Sequence, residues 1–111
     1  HENESKGTRL IETVEEYILS TIDQDHSLRT VAEKVGLNPS YFSRLFRKQS
    51  GENFVQFVAS LKVKKAMELL AETDETIKTV AEKVGYTEQT LRRVFKNETG
   101  MTPSQYRKSK R

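Results

Sequence analysis

Two short stretches hold the residues that could do chemistry. The first carries Ser40, Ser43, Arg44, Arg47 and Lys48, the second Gln89, Arg92, Arg93 and Lys96. Within each set the spacings of three and four place the side chains on one face of a helix. Serine and glutamine offer both donors and acceptors. Arginine offers a planar fork that spans two acceptors, such as those on the edge of guanine. Lysine offers a point charge suited to phosphate. No acid lies between Pro39 and Ser50. This is chemistry for holding an anion, not for making or breaking bonds. The carboxylate pairs Glu15/Glu16 and Asp74/Glu75 are expected on solvated faces or turns, with no histidine, cysteine or glycine-rich loop beside them, so an enzyme is not indicated. Without cysteine there is no disulfide and no thiolate. His1 and His26 are too few and too far apart for a metal cluster and read as plain surface residues. No metal and no cofactor is expected.

The elements that must position these residues are written twice. Ser27 to Gly51 returns as Thr76 to Gly100, offset by 49 positions. Thr30-Val31-Ala32-Glu33-Lys34-Val35-Gly36 recurs letter for letter as Thr79 to Gly85, and Arg44, Phe46 and Gly51 match Arg93, Phe95 and Gly100. Such a repeat is one supersecondary unit used twice. Ser27 reads as an N-cap, and Leu28, Val31, Ala32 and Val35 form a helical stripe. Gly36 can take the left-handed conformation that turns the chain. Asn38 caps the next helix, with Pro39 at its first position. Phe42, Leu45 and Phe46 point inward. The second copy repeats each device with Thr76, Ala81, Gly85, Thr87, Leu91, Val94, Phe95 and Gly100. The unit is a helix-turn-helix. Arg44, one turn from Ser40, is long enough to reach base edges in a major groove. Arg47 and Lys48, further on, and Lys96 in the second copy, are placed to meet phosphates.

Taken in order, residues 1–8 read as a linker or disordered tail. Helix 1 is expected from Arg9 to about Ile22, with Leu10, Val14, Tyr17 and Ile18 on one face. Residues 9–51 make the first helix-turn-helix subdomain, and residues 52–75 a linker helix and turn. Residues 76–111 make the second subdomain. The linker helix, capped by Asn53, carries Phe54, Phe57, Val58, Leu61, Ala66, Leu69 and Leu70 on a broad apolar face. Lys62, Lys64 and Lys65 are placed off that face. Thr102-Pro103 opens a last short helix, with Tyr106 inward, Arg107 and Lys108 outward, and a basic tail behind them. The expected fold is all-α, with seven helices and two helix-turn-helix subdomains.

At 111 residues the chain is short, and 34% hydrophobic against 32% charged suits a polar helical domain. No apolar run is long enough for a membrane helix. The first residue is His1, so a longer protein is expected around this stretch. The net charge of +3 hides an asymmetry. Residues 1–35 hold four basic and eight acidic side chains, a net of −4. Residues 36–111 hold fifteen and eight, a net of +7. That basic excess suits a polyanion such as DNA. RNA suits it less, because the narrow A-form major groove excludes a helix. A protein-interaction module of repeated helical pairs is the rival, and it implies no salt-sensitive duplex binding.

The sequence resembles the AraC/XylS family of transcription regulators. The resemblance rests on Ala32, Gly36 and Asn38 to Phe46, then Gly51, Phe54 and Ala66 to Leu70. It closes with Val80 to Tyr86, Phe95-Lys96, Gly100 to Pro103 and Tyr106-Arg107. It covers about residues 10–108. It implies two recognition helices in adjacent major grooves, binding to double-stranded DNA, and transcription control through RNA polymerase in the bacterial cytoplasm. The opening is most similar to response-regulator members, which implies an upstream receiver or sensor domain. Carried over by position, it implies base contacts from Ser40, Ser43 and Arg44, and from Gln89, Arg92 and Arg93. Two departures stand out. Lys62 occupies a place where many members have arginine, which implies a weakened buried hydrogen-bonding role. Glu88, at the start of the second recognition helix, would repel a phosphate, so that end is expected to read bases or touch little.

Overall fold

A computed structural model describes the backbone of residues 2–111 and the side chains of residues 9–111. The first helix begins at Glu2, not at the expected Arg9, so the backbone of residues 2–8 is helical where a linker or tail is expected. Seven helices follow one another: α1 (Glu2–Ser20), α2 (Leu28–Lys34), α3 (Pro39–Ser50), α4 (Phe54–Glu72), α5 (Ile77–Lys83), α6 (Glu88–Thr99) and α7 (Pro103–Lys110). The described residues contain no strand. The chain divides into two units. One contains His1–Thr21 and His26–Val58, the other Ile22–Asp25 and Ala59–Arg111. The helix expected as a linker is therefore shared, its first turn and a half belonging to one core and the remainder to the other.

In the first unit α1 and α2 both pack on α3. Val14, Ile18, Val31, Ala32, Phe42 and Phe46 are fully buried. Four phenylalanines fill the centre. Phe42 and Phe54 meet edge to face at 5.6 Å, and Phe46 and Phe57 at 5.0 Å. Such contacts add to simple area burial and fix how the rings interlock. His26 is not the surface residue expected from its type. It is 8% exposed, its Nε2 lies 2.8 Å from Thr21 Oγ1, and its ring stands edge-on to Tyr17. The cause is its place in the chain, directly before the N-cap Ser27, where the loop re-enters the unit.

Helix α1 ends at Ser20, and Ile22 does not extend its apolar face. Ile22 packs instead against the second core, with Val63, Ala66, Leu70, Val80, Leu91 and Phe95. What holds the loop there is Lys62, which the sequence reading had placed off the apolar face. Phe54, Val58, Lys62, Ala66 and Leu70 form one row of i, i+4 positions along α4, and all five are buried. Lys62 is 2% exposed. Its ammonium donates to the carbonyl oxygens of Ile22 (2.8 Å), Gln24 (2.7 Å) and Val84 (2.7 Å). Three protons thus meet three acceptors. Burial pushes the ammonium down to about 8, against the pull of the Asp25 and Asp23 carboxylates.

Gly36 and Gly85 occupy the same turn position in the two repeats and have φ of 75° and 76°. Their surroundings differ. A Cβ on Gly36 would meet nothing within 4 Å, whereas one on Gly85 would lie 2.6 Å from Gln24 O and 2.9 Å from Lys62 Nζ. Gly36→Ala is therefore expected to cost ~1–2 kcal/mol, from the left-handed backbone alone. Gly85→Ala adds overpacking of ~1–3 kcal/mol against a backbone carbonyl. Thermal melts of the two variants side by side check this; equal losses would contradict it.

Lys62→Met should cost ~2–4 kcal/mol at neutral pH, because three carbonyls lose their donors. The pH dependence carries its own sign. Below about pH 8 folded and unfolded chains both hold the Lys62 proton. Between there and the ordinary value of 10.5 only the unfolded chain holds it, so stability from this group rises with pH. The gap between the native chain and Lys62→Met should thus widen by ~2–3 kcal/mol over that interval. Denaturant melts from pH 7 to 10.5 measure it, and a gap that stays constant would show that burial does not lower the Lys62 ammonium from its ordinary value.

Candidate nucleic-acid interface

Helix α3 begins where side chains satisfy its free backbone donors. Asn38 Oδ1 accepts from the N–H of Ser40 (2.9 Å) and of Tyr41 (3.3 Å), and Pro39 stands where no N–H is required. It ends at Gly51, whose left-handed φ of 81° lets its N–H donate to Arg47 O. Between these stops Phe42 and Phe46 are fully buried, which fixes the rotation of the helix about its axis. Ser40, Arg44, Arg47 and Lys48 are consequently exposed and Ser43 is half-buried. The three cations have no carboxylate partner among the described residues. Arg47 and Lys48 lie in the last turn, where the helix dipole favours positive charge.

Helix α6 repeats this construction at the same length. Thr87 Oγ1 accepts from the N–H of Thr90 at 3.1 Å, Gly100 closes the helix at φ 79°, and Leu91 and Phe95 are fully buried. Gln89, Arg92, Arg93 and Lys96 are exposed. One difference is electrostatic. Arg92 Nε donates to Glu88 Oε2 at 3.1 Å, and Arg92 Nη2 lies 3.1 Å from the same oxygen. An exposed i, i+4 pair of this kind is worth only ~0.3–0.5 kcal/mol to the helix. Its larger effect is on charge: with Glu88 and Glu98 against Arg92, Arg93 and Lys96, α6 carries a net +1 where α3 carries +3. Behind α6, burial and the Glu98 carboxylate raise the Tyr86 phenol above its ordinary value, so it stays neutral.

Each predicted set therefore lies on one exposed helix face, Ser40, Ser43, Arg44, Arg47 and Lys48 in the first unit and Gln89, Arg92, Arg93 and Lys96 in the second. The sequence reading left out Tyr41, which is 49% exposed on α3, one turn before Arg44. Its position next to Phe42 but off the inward stripe was the available signal. Glu88 was read as a lone charge, although its i, i+4 relation to Arg92 was visible. Arg107 was placed outward, and the structure corrects this. Its Nε donates to Leu70 O (3.0 Å) and its Nη2 to Thr73 O (3.3 Å), so it closes the end of α4. In the basic tail, Arg111 pairs with Asp74.

A helix-turn-helix domain family matches residues 31–109 of the chain. The chain belongs to the AraC-type helix-turn-helix family. The family and fold are those of DNA-binding transcription regulators, not enzymes. The C-terminal domain of AraT, a response regulator from Geobacillus stearothermophilus, is 33% identical, with a TM-score of 0.85 over 90% of this chain and 84% of that one. The DNA-binding domain of AdpA, a global transcriptional factor solved with a target DNA, is 27% identical, with a TM-score of 0.84 over 90% of each chain. The xylose-binding transcription activator XylR is 25% identical, with a TM-score of 0.77 over 91% of this chain and 27% of that one. No protein of curated function matches the sequence. No helix among the described residues is long and apolar enough to cross a membrane.

Proposed function

We propose that the chain binds double-stranded DNA sequence-specifically and regulates transcription, with α3 and α6 as recognition helices in adjacent major grooves. In this reading the functional division is a first helix-turn-helix subdomain over residues 9–51 and a second over residues 76–111. Residues 52–75 connect them. The observation that carries it is the outward face of α3. Three cations with no carboxylate partner among the described residues, and two serines, stand on a helix whose rotation is fixed by buried phenylalanines and whose ends are capped. That is a pre-arranged surface for phosphates and base edges, and a polyanion is the ligand it suits. The likeness to a domain solved with its target DNA supports the same ligand.

Ser40, Ser43 and Arg44 read bases in one half-site. Gln89, Arg92 and Arg93 read bases in the other. Arg47, Lys48 and Lys96 hold phosphates. The chain works in the cytoplasm of a bacterium as part of a longer protein. An upstream receiver or sensor domain controls it, and it acts on RNA polymerase. Its likeness to the C-terminal domain of a response regulator supports the upstream domain.

Titration of duplex DNA with this chain at several salt concentrations, combined with single-base variants of a selected site, tests the reading. Affinity should fall steeply with salt, with a log–log slope of several units. Arg44→Ala should relax preference at one or two base positions and cost ~1–3 kcal/mol on the best site. Arg93→Ala should do the same in the other half-site. Arg47→Ala should weaken all sequences alike and lower the slope by about one. Salt-independent association would reject duplex binding. Unaltered base preferences in Arg44→Ala and Arg93→Ala would reject these two as readers.

A further inference from the structure

Glu88 stands in the first turn of α6, one turn before an arginine assigned to base reading, and is paired with it. The geometry of the pair is specific. Both contacts use one edge of the guanidinium, Nε and Nη2, and one carboxylate oxygen, Oε2, at 3.1 Å each. Arginine carries five N–H donors. Those remaining on Nη1 and Nη2 form the end of the fork, which can span O6 and N7 of guanine. Glu88 Oε1 is left as an acceptor, with its side chain 42% exposed.

We propose that Glu88 and Arg92 act as one reading unit that favours a guanine with a neighbouring cytosine in the α6 half-site. The inference rests on the function proposed above. Glu88 holds the Arg92 fork in one orientation, so the end of the fork meets guanine without first being ordered by the DNA. Its own free oxygen accepts from the N4 amino group of cytosine, the usual major-groove partner of a carboxylate. On other sequences the carboxylate faces O6, O4 or N7 acceptors, and the repulsion weakens binding. Discrimination then comes partly from a repulsive element, which charge attraction to phosphates alone cannot supply. Without Glu88, Arg92 is free to swing to a phosphate on any duplex.

Binding-site selection from random duplexes, followed by competition against random duplex at several salt concentrations, tests this with the native chain, Glu88→Ala and Glu88→Gln. The native chain should enrich a guanine beside a cytosine in one half-site. Both variants should lose enrichment at those two positions. Each should bind random duplex more tightly, with a salt slope steeper by ~0.9 for the one added phosphate contact. The ratio of specific to random affinity should fall by about fivefold or more, the lower end of what one good base contact discriminates. Circular dichroism melts confirm that each variant is folded, and Glu88→Gln keeps the side-chain size should alanine disturb the helix start. If folded variants keep the native base enrichments and salt slope, the pair is an ordinary surface ion pair and the inference is overturned. If the native chain binds no duplex at all, the proposed function itself falls, and the inference with it.

Discussion

One buried ammonium organises the second unit. An isolated charge that far from water costs several kcal/mol, and it persists only where partners saturate it. Lys62 meets that condition with three backbone carbonyls from two separate segments, the loop at Ile22 and Gln24 and the turn at Val84. Backbone carbonyls cannot be mutated away, so the arrangement constrains every residue around it. It holds the segment Ile22–Asp25 in the second unit although that segment directly follows α1. It leaves Gly85 no room for a side chain. It lies 5.3 Å from the centre of the Tyr86 ring, at the turn leading into α6. A recognition helix is useful only if its start is fixed, and this cluster stands immediately before that start.

The two repeats share their local devices and differ in their surroundings. Caps, turn glycines and buried alanines recur at the 49-residue offset. So do smaller features: Ser50 Oγ donates to Phe46 O and accepts from Glu52 N–H, and Thr99 Oγ1 does the same with Phe95 O and Met101 N–H. These depend only on residues near in sequence, and one copy accounts for the other. Context does not repeat. The first core is filled by phenylalanines, the second by smaller aliphatic residues with Phe95 and Tyr106 at 5.6 Å. Gly36 is open where Gly85 is enclosed. Local physics explains why the same segment folds the same way twice, and tertiary packing explains why the two copies tolerate different changes.

The same division governs what could be read in the sequence. The helix-turn-helix units, their caps and both outward faces were legible because each follows from short-range spacing. The N-caps of α3 and α6, Asn38 and Thr87, stand where they are expected. Lys62 was misplaced because its charge outweighed its position, although the row Phe54, Val58, Lys62, Ala66 and Leu70 contained the signal. His26 and Arg107 were misplaced for a different reason. Their partners lie in segments whose approach no periodicity encodes: Thr21 and Tyr17 for the first, Leu70 and Thr73 for the second. Side chains that terminate a neighbouring element are the hardest to see from one chain of letters, because residue type alone suggests solvent.

The two outward faces follow from these constraints. Burial of Phe42 and Phe46 in α3, and of Leu91 and Phe95 in α6, leaves each helix no freedom to rotate. Which side chains reach outward is thus decided by the core. What they do there is decided by charge. On α3 no carboxylate among the described residues competes for the cations, so their indiscriminate attraction to a polyanion is undiminished. On α6 a carboxylate takes part of the arginine's bonding capacity, which lowers that indiscriminate attraction and ties the remainder to geometry. Positive charge by itself favours every duplex alike. A surface in which one positive group must satisfy a fixed neighbour as well as the ligand can distinguish among them. The repeat therefore supplies two helices of one shape, and the pairing of Glu88 with Arg92 sets the second apart in how its charge is held.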